Sequence, residues 1–82
     1  MILVDVYVPS VDNTYDFQLD EEAVINTLVE EIGELIGQKE HCQITGNMEN
    51  LMLCSRVEKK ILPKNMTLKA CGIQTGHSLI LV

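Results

Sequence analysis

The chain has no tryptophan, a single phenylalanine and two tyrosines among its 82 residues. Platforms that stack single-stranded nucleic acid need several aromatic rings on one surface, and Tyr7, Tyr15 and Phe17 are all this chain has. Bases are scarce too: six Lys and Arg stand against twelve Asp and Glu, a formal net charge of −6. Phosphate backbones are held by Lys and Arg, so nucleic acid is not an expected partner. No segment approaches the roughly 20 apolar residues of a membrane-spanning helix, and direct membrane insertion is not expected. The N-terminal stretch carries no base and is broken at Asp5, so it shows no secretory signal pattern. Cys42, Cys54 and Cys71 are odd in number and widely spaced, which suits a reducing cytoplasm better than a disulfide framework. In that compartment the sequon Asn65-Met66-Thr67 is irrelevant.

What is present points to one globular domain over residues 1–82. The hydrophobic content is 46%, well above the disordered range. A domain this small buries only about 60–65% of its unfolded surface, so a deep catalytic cavity is not expected. Charge is divided along the chain: residues 1–38 hold nine acids and no base, while residues 39–82 hold all six bases and three acids. Such polarity steers encounters with a partner without dictating a fold.

Ile2, Val4, Val6 and Val8 alternate with Leu3, Asp5 and Tyr7, the period-two pattern of a half-buried strand that Pro9-Ser10 ends. Asp12-Asn13 is a turn pair, and Thr14–Leu19 is a second strand with Tyr15, Phe17 and Leu19 facing inward. Asp20 stands where a helix N-cap belongs, followed by Glu21 and Glu22 at the positive end of the helix dipole. Val24, Ile25, Leu28, Val29, Ile32, Leu35 and Ile36 then share an apolar stripe, opposite Gly33 and the solvated Glu30 and Glu34, until Gly37 stops the helix. Residues 39–50 read as a loop with a short extended piece at Cys42–Thr45. Leu51–Cys54 is a short strand, Ser55–Glu58 a turn, and Lys59–Leu62 a brief strand that Pro63 ends. Thr67–Cys71 suits one helical turn stopped by Gly72, and Ser78–Val82 is the last strand, parallel to the first and beside it. The expected fold is α+β: a ββαβββ mixed sheet packed on one long helix.

Chemistry-bearing constellations are few. Cys42, Cys54, Cys71, His41 and His77 lack the paired spacing of zinc ligands, and an iron–sulfur cluster needs four organised cysteines. Cys71 and His77 lie close in sequence, but no residue is placed to orient the pair or to form an oxyanion hole. Gly72 to Gly76 follows no strand and is too short for a phosphate loop. The acyl-carrier pattern fails as well, because His77-Ser78-Leu79 introduces a strand rather than a helix. No catalytic residue, cofactor or metal is expected, and Cys54 reads as a buried strand residue.

The stretch Ile61-Leu62-Pro63-Lys64-Asn65-Met66-Thr67-Leu68-Lys69-Ala70-Cys71-Gly72-Ile73-Gln74-Thr75-Gly76-His77-Ser78-Leu79-Ile80-Leu81 resembles a family pattern. That pattern is the Leu-x-Pro-x-x-x-Thr-Leu-x-x-x-Gly-Ile-x-x-Gly-x-x-Leu of YukD-type (EsaB/YukD) ubiquitin-like proteins. Thr14-Tyr15-Asp16-Phe17 is similar to that family's second strand. The resemblance implies a ubiquitin-like β-grasp and a cytoplasmic accessory role in type VII (WXG100/ESX-like) secretion, with a secretion-machinery component as protein partner. Family members often carry an acid where Ala70 and His77 stand here. Within the motif, Leu68 and Ile73 should anchor a turn under the sheet, Gly72 and Gly76 suit positive φ, and Leu79 and Leu81 should pack on Ile2 and Val4. The chain ends Leu81-Val82 without the Gly-Gly of conjugated modifiers and sulfur carriers, so the expectation is a non-catalytic interaction module rather than a modifier or an acyl carrier. An unrelated regulatory β-grasp domain is the other alternative.

Alternation also leaves apolar residues on the face turned away from the helix. Leu3, Tyr7, Met52, Ile80 and Val82 form the candidate patch for a partner or for homo-oligomerisation.

Overall fold

The computed structural model describes residues 1–40 and 51–82. Six elements follow in order: β1 (Ile2–Val8), β2 (Asn13–Leu19), α1 (Ile25–Glu40), β3 (Leu53–Ser55), β4 (Lys60–Ile61) and β5 (Ser78–Leu81). The ββαβββ order is the one expected. The extended piece at Cys42–Thr45, together with His41 and Cys42, lies outside the described residues.

One five-stranded sheet has the order β2-β1-β5-β3-β4, with β5 at its centre. Strand β5 runs parallel to β1, as expected, and antiparallel to β3, while the β1/β2 and β3/β4 pairs are antiparallel. Alternation does the sorting. Val4, Val6 and Val8 of β1, Phe17 and Leu19 of β2, Leu53 of β3, and Leu79 and Leu81 of β5 are buried in one cluster with Ile25, Leu28, Val29, Ile32 and Ile36 of α1. Burying a side chain of this size contributes about 1.5–3 kcal/mol, so these positions supply the main driving force.

Helix α1 differs from expectation at both ends. Asp20 is not its N-cap: the carboxylate accepts the Glu22 N–H at 3.0 Å and the carbonyl accepts the Ala23 N–H at 3.1 Å, closing a separate turn. Val24 then bridges Thr67, and the helix begins one residue later. Its first donors go to a distant segment, Ile25 N–H to the Met66 carbonyl at 2.8 Å and Asn26 N–H to the Lys64 carbonyl at 3.0 Å. These backbone acceptors do what a capping side chain otherwise does. At the other end the helix runs through Gly37 to Glu40, so Lys39 and Glu40 are helical rather than loop. The stripe is also rotated. Gly33 is buried, whereas Val24 and Leu35 are exposed, because the helix packs on the arc centred near Ile25, Ile32 and Ile36.

Over residues 67–72 the Cys71 N–H bonds to the Thr67 carbonyl, closing the one helical turn expected there, and also to the Leu68 carbonyl, and Gly72 ends it. Leu68 and Ile73 are buried beneath it, and Gly72 and Gly76 take φ of 77° and 94°, as anticipated. Asp12 and Lys59 also have positive φ, and Lys59 belongs to the turn before β4 rather than to the strand. The β1/β5 register corrects one packing expectation: Leu79 stands opposite Val6, not Ile2 or Val4, and Leu81 lies two residues further along.

Candidate functional site

The side of the sheet away from α1 carries a row of apolar groups that remain partly in contact with solvent. Its composition follows from register. Tyr7 pairs with Thr14 of β2 and with Ile80 of β5; Ile80 pairs with Cys54 of β3, and Cys54 with Ile61 of β4. Side chains directly opposite one another share a face, so Thr14, Tyr7, Ile80, Cys54 and Ile61 form one row across all five strands. A second row lies one pleat away, with Asp16 opposite Asp5, Asp5 opposite Ser78, and Arg56 N–H donating to the Ser78 carbonyl at 3.1 Å.

The five residues singled out from sequence do not all meet. Tyr7 and Ile80 are direct neighbours, both half-buried. Met52 and Val82 exchange two backbone hydrogen bonds, 2.6 and 2.9 Å, and extend the apolar surface past Ile80. Leu3 is 49% exposed but stands at the opposite end of β1, beside the Thr75–Gly76 turn. Tyr7 lies four steps along the strand from it, about 13 Å, so Leu3 borders the patch from a distance.

Cys54 corrects the sequence reading. It is half-buried on the outer face, because Leu53 and Ser55 on either side take the inward positions. Partial burial pushes its thiol pKa up, which keeps it protonated and apolar in character. Ile61, 56% exposed, and Arg56 are further members of this face that alternation did not reveal. The signal for Ile61 is its pairing with Cys54, which only the β3/β4 register supplies.

Two polar contacts organise the patch. The Tyr7 hydroxyl donates to Asp12 Oδ1 at 2.9 Å, and this bond, with the nearby carboxylate charge, raises the tyrosine pKa. The Arg56 guanidinium lies over the Tyr7 ring, 5.9 Å from its centroid, and so stretches across β5 on the outer face. Cys54, Ser55, Arg56, Lys59, Lys60, Ile61 and Ile80 line an open groove of about 400 Å³ with an apolar floor and a basic rim. Lys60 pairs with Glu58 at 2.9 Å, which raises the ammonium pKa.

The remaining candidates for chemistry are committed elsewhere. His77 Nδ1 accepts the Gln74 N–H at 3.3 Å, which ties the ring into its own turn, and Cys71 packs against the core. Among the described residues no three His, Cys, Asp or Glu side chains gather to share a metal ion. No described helix is long and apolar enough to cross a membrane. A second open cavity of about 560 Å³ lies by Ile2, Glu21, Glu22 and Lys69, where Glu21 pairs with the N-terminal amine and Glu22 with Lys69.

Comparison with solved structures places this architecture. The chain is similar to the N-terminal ubiquitin-like domain of the 4931431F19Rik protein, with a TM-score of 0.72 at 26% identity over 99% of this chain and 72% of that one. It is also similar to a computationally designed protein based on human erythrocytic ubiquitin, with a TM-score of 0.74 at 23% identity over 100% and 90% of the two chains. ATBAG1, solved in complex with HSP70, superposes with a TM-score of 0.75 at 13% identity, over all of this chain and 40% of that one. No protein-family model and no curated protein matches the sequence. The fold is a ubiquitin-like β-grasp, with a five-stranded mixed sheet and one helix.

Proposed function

We propose that this chain is a non-catalytic, cytoplasmic protein-interaction module that docks a partner through the outer face of its sheet, as an accessory component of a type VII (WXG100/ESX-like) secretion system. One observation carries the docking reading: the row Tyr7, Ile80, Cys54 and Ile61 crosses four strands as a continuous apolar band left in contact with solvent. Partly exposed apolar bands of this kind on small domains mark interaction surfaces. The division of charge along the chain adds steering to the encounter. The secretion assignment is supported by the resemblance of residues 61–81 to the YukD-type pattern, whose apolar and glycine positions here anchor the turns leading into β5.

The test has two parts. Ile80→Asp puts a charge in the middle of the band, and it should abolish capture of secretion-machinery components by a fold that stays intact. Deleting the gene in the source cell should reduce export of WXG100-like substrates. Undiminished export, with no WXG100-like or FtsK/SpoIIIE-like ATPase genes nearby, would remove the secretion assignment. A covalent adduct through the terminal carboxylate, seen by mass spectrometry of the native protein, would instead identify a modifier or carrier.

A further inference from the structure

We infer that the free edge of β2 takes an extended basic segment of a partner protein as an added antiparallel strand, and that Asp16 selects its charge. The two edges of the sheet, β2 and β4, are built differently. Edge β4 is two residues long, carries Lys60 and is soon followed by Pro63, the usual protections against a further strand. Edge β2 runs for seven residues with no proline and no base, and it pairs with β1 residue for residue without a bulge. Which of its backbone groups stay open follows from β1. The Asp5 N–H donates to the His77 carbonyl at 3.3 Å and the Leu3 carbonyl accepts the Gly76 N–H at 2.9 Å, so Leu3, Asp5 and, by alternation, Tyr7 turn their backbone toward β5. These three stand opposite Gln18, Asp16 and Thr14. They are therefore the non-hydrogen-bonded pairs of the β1/β2 ladder, and the N–H and C=O groups of Thr14, Asp16 and Gln18 point away from β1. All three residues are exposed, and among the described residues no strand lies beyond them.

Charge says what the added strand carries. Asp16 is the only charged residue of β2. It stands directly opposite Asp5, and side chains approach closely in a non-hydrogen-bonded pair, so the two carboxylates repel. Neither belongs to a salt bridge among the described residues. A second copy of this chain centred on the same edge would lay Asp16 against Asp16, which works against self-pairing. A lysine or arginine opposite Asp16 relieves the repulsion instead. Its neighbours along the partner strand fall on the inner side, beside Phe17 and beside Tyr15, which packs on the core while half-buried. Aliphatic residues suit those two places. The occupant is thus an apolar–base–apolar segment, held by main-chain hydrogen bonds and chosen by Asp16. This edge is separate from the outer-face band and does not depend on it.

NMR-detected hydrogen exchange of the full chain tests this with the blocked peptide Ser-Thr-Val-Lys-Val-Thr-Ser. For a Kd of about 1 mM, about 5 mM peptide should slow the Thr14, Asp16 and Gln18 amides about sixfold and leave those of Tyr15 and Phe17, which face β1, unchanged. No slowing at that concentration overturns the inference. N-methylation of the peptide's lysine amide, which faces β2, should abolish the protection, and protection that survives it is not strand addition. Replacing the peptide's lysine by glutamate should weaken binding about tenfold, and Asp16→Lys should reverse that preference. Equal binding of the two peptides to the parent overturns the role of Asp16. Ile80→Asp should leave the slowing unchanged; loss of the slowing in that variant would put the peptide on the outer face and overturn the edge site. Capture of a partner through the outer face is read in its own experiment, so either result stands without the other.

Discussion

Leu79 and Ile80 are consecutive aliphatic residues of the same strand, yet they do different work. Leu79 is fully buried against the helix layer, while Ile80 is half-buried at the centre of the outer face. Nothing in their chemistry separates them; the pleat does. The two faces differ in what lies over them. The inner face is closed by α1 and by Leu62, Leu68 and Ile73 from the later turns. The outer face has an arginine stretched over a tyrosine and a shallow basic-rimmed groove. The lesson is that apolar character alone does not distinguish stability from recognition in a small sheet; register against a covering layer does.

The sharpest way to break this comparison is to truncate on the inner side. Leu79→Ala should destabilise the domain by about 3 kcal/mol, the range for emptying a closed aliphatic site. Urea denaturation reads this directly as a lower midpoint with an unchanged slope. If Leu79→Ala cost no more than a surface substitution, the inner face would not be the core that its burial describes.

Next in size is a change that belongs to neither face. Gly76 has φ of 94°, beyond the left-handed region that residues with a Cβ tolerate, and its N–H donates to the Leu3 carbonyl at 2.9 Å where β5 joins β1. An added Cβ would meet no atom within 4 Å, so the cost is conformational rather than steric. Gly76→Ala should cost about 1–2 kcal/mol. Gly72→Ala, at φ of 77°, should cost less, and equal midpoints for the two would argue that the turn relaxes.

Ile80→Asp is the outer counterpart of Leu79→Ala. Its effect on stability should stay below about 1 kcal/mol, the span of strand preferences at partly exposed positions. The same denaturation experiment applies. A loss as large as that for Leu79→Ala would mean that the outer face is sealed after all.

How much of this was legible in the sequence depends on whether the deciding signal was local. Alternation over the seven residues of β1 was long enough to set the phase, so Val4, Val6 and Val8 were assigned inward correctly. The run Leu51-Met52-Leu53-Cys54 is apolar throughout, so alternation says little about burial there, and Cys54 was read as buried although it stands half-buried on the outer face. The start of α1 failed for a different reason. Asp20 has the chemistry of a cap, but the helix donors are satisfied by Met66 and Lys64 carbonyls some forty residues away. No local pattern announces a backbone acceptor at that distance. Ile61 and Arg56 joined the candidate face only through strand pairing, whereas Tyr7 and Ile80 were accessible because β1 and β5 both alternate and lie side by side.

The smallest effect sharpens the outer face itself, and it rests on Tyr7. Its hydroxyl donates to Asp12, and the protonated phenol is favoured in the folded chain first by that bond and then by the carboxylate charge. The folded pKa is therefore above the unfolded value of about 10. The stabilisation is fully present below that pH and is lost as pH rises through the folded pKa. Tyr7→Phe removes the bond at every pH, so the gap in urea midpoint between parent and variant should be constant through neutral pH and close above about pH 10. Lys60, raised by Glu58, loses its own contribution in the same alkaline window, but it does so in both proteins and cancels in the difference. No gap at neutral pH would show that the ring, which phenylalanine keeps over Arg56, rather than the hydroxyl, is what the outer face needs from this residue.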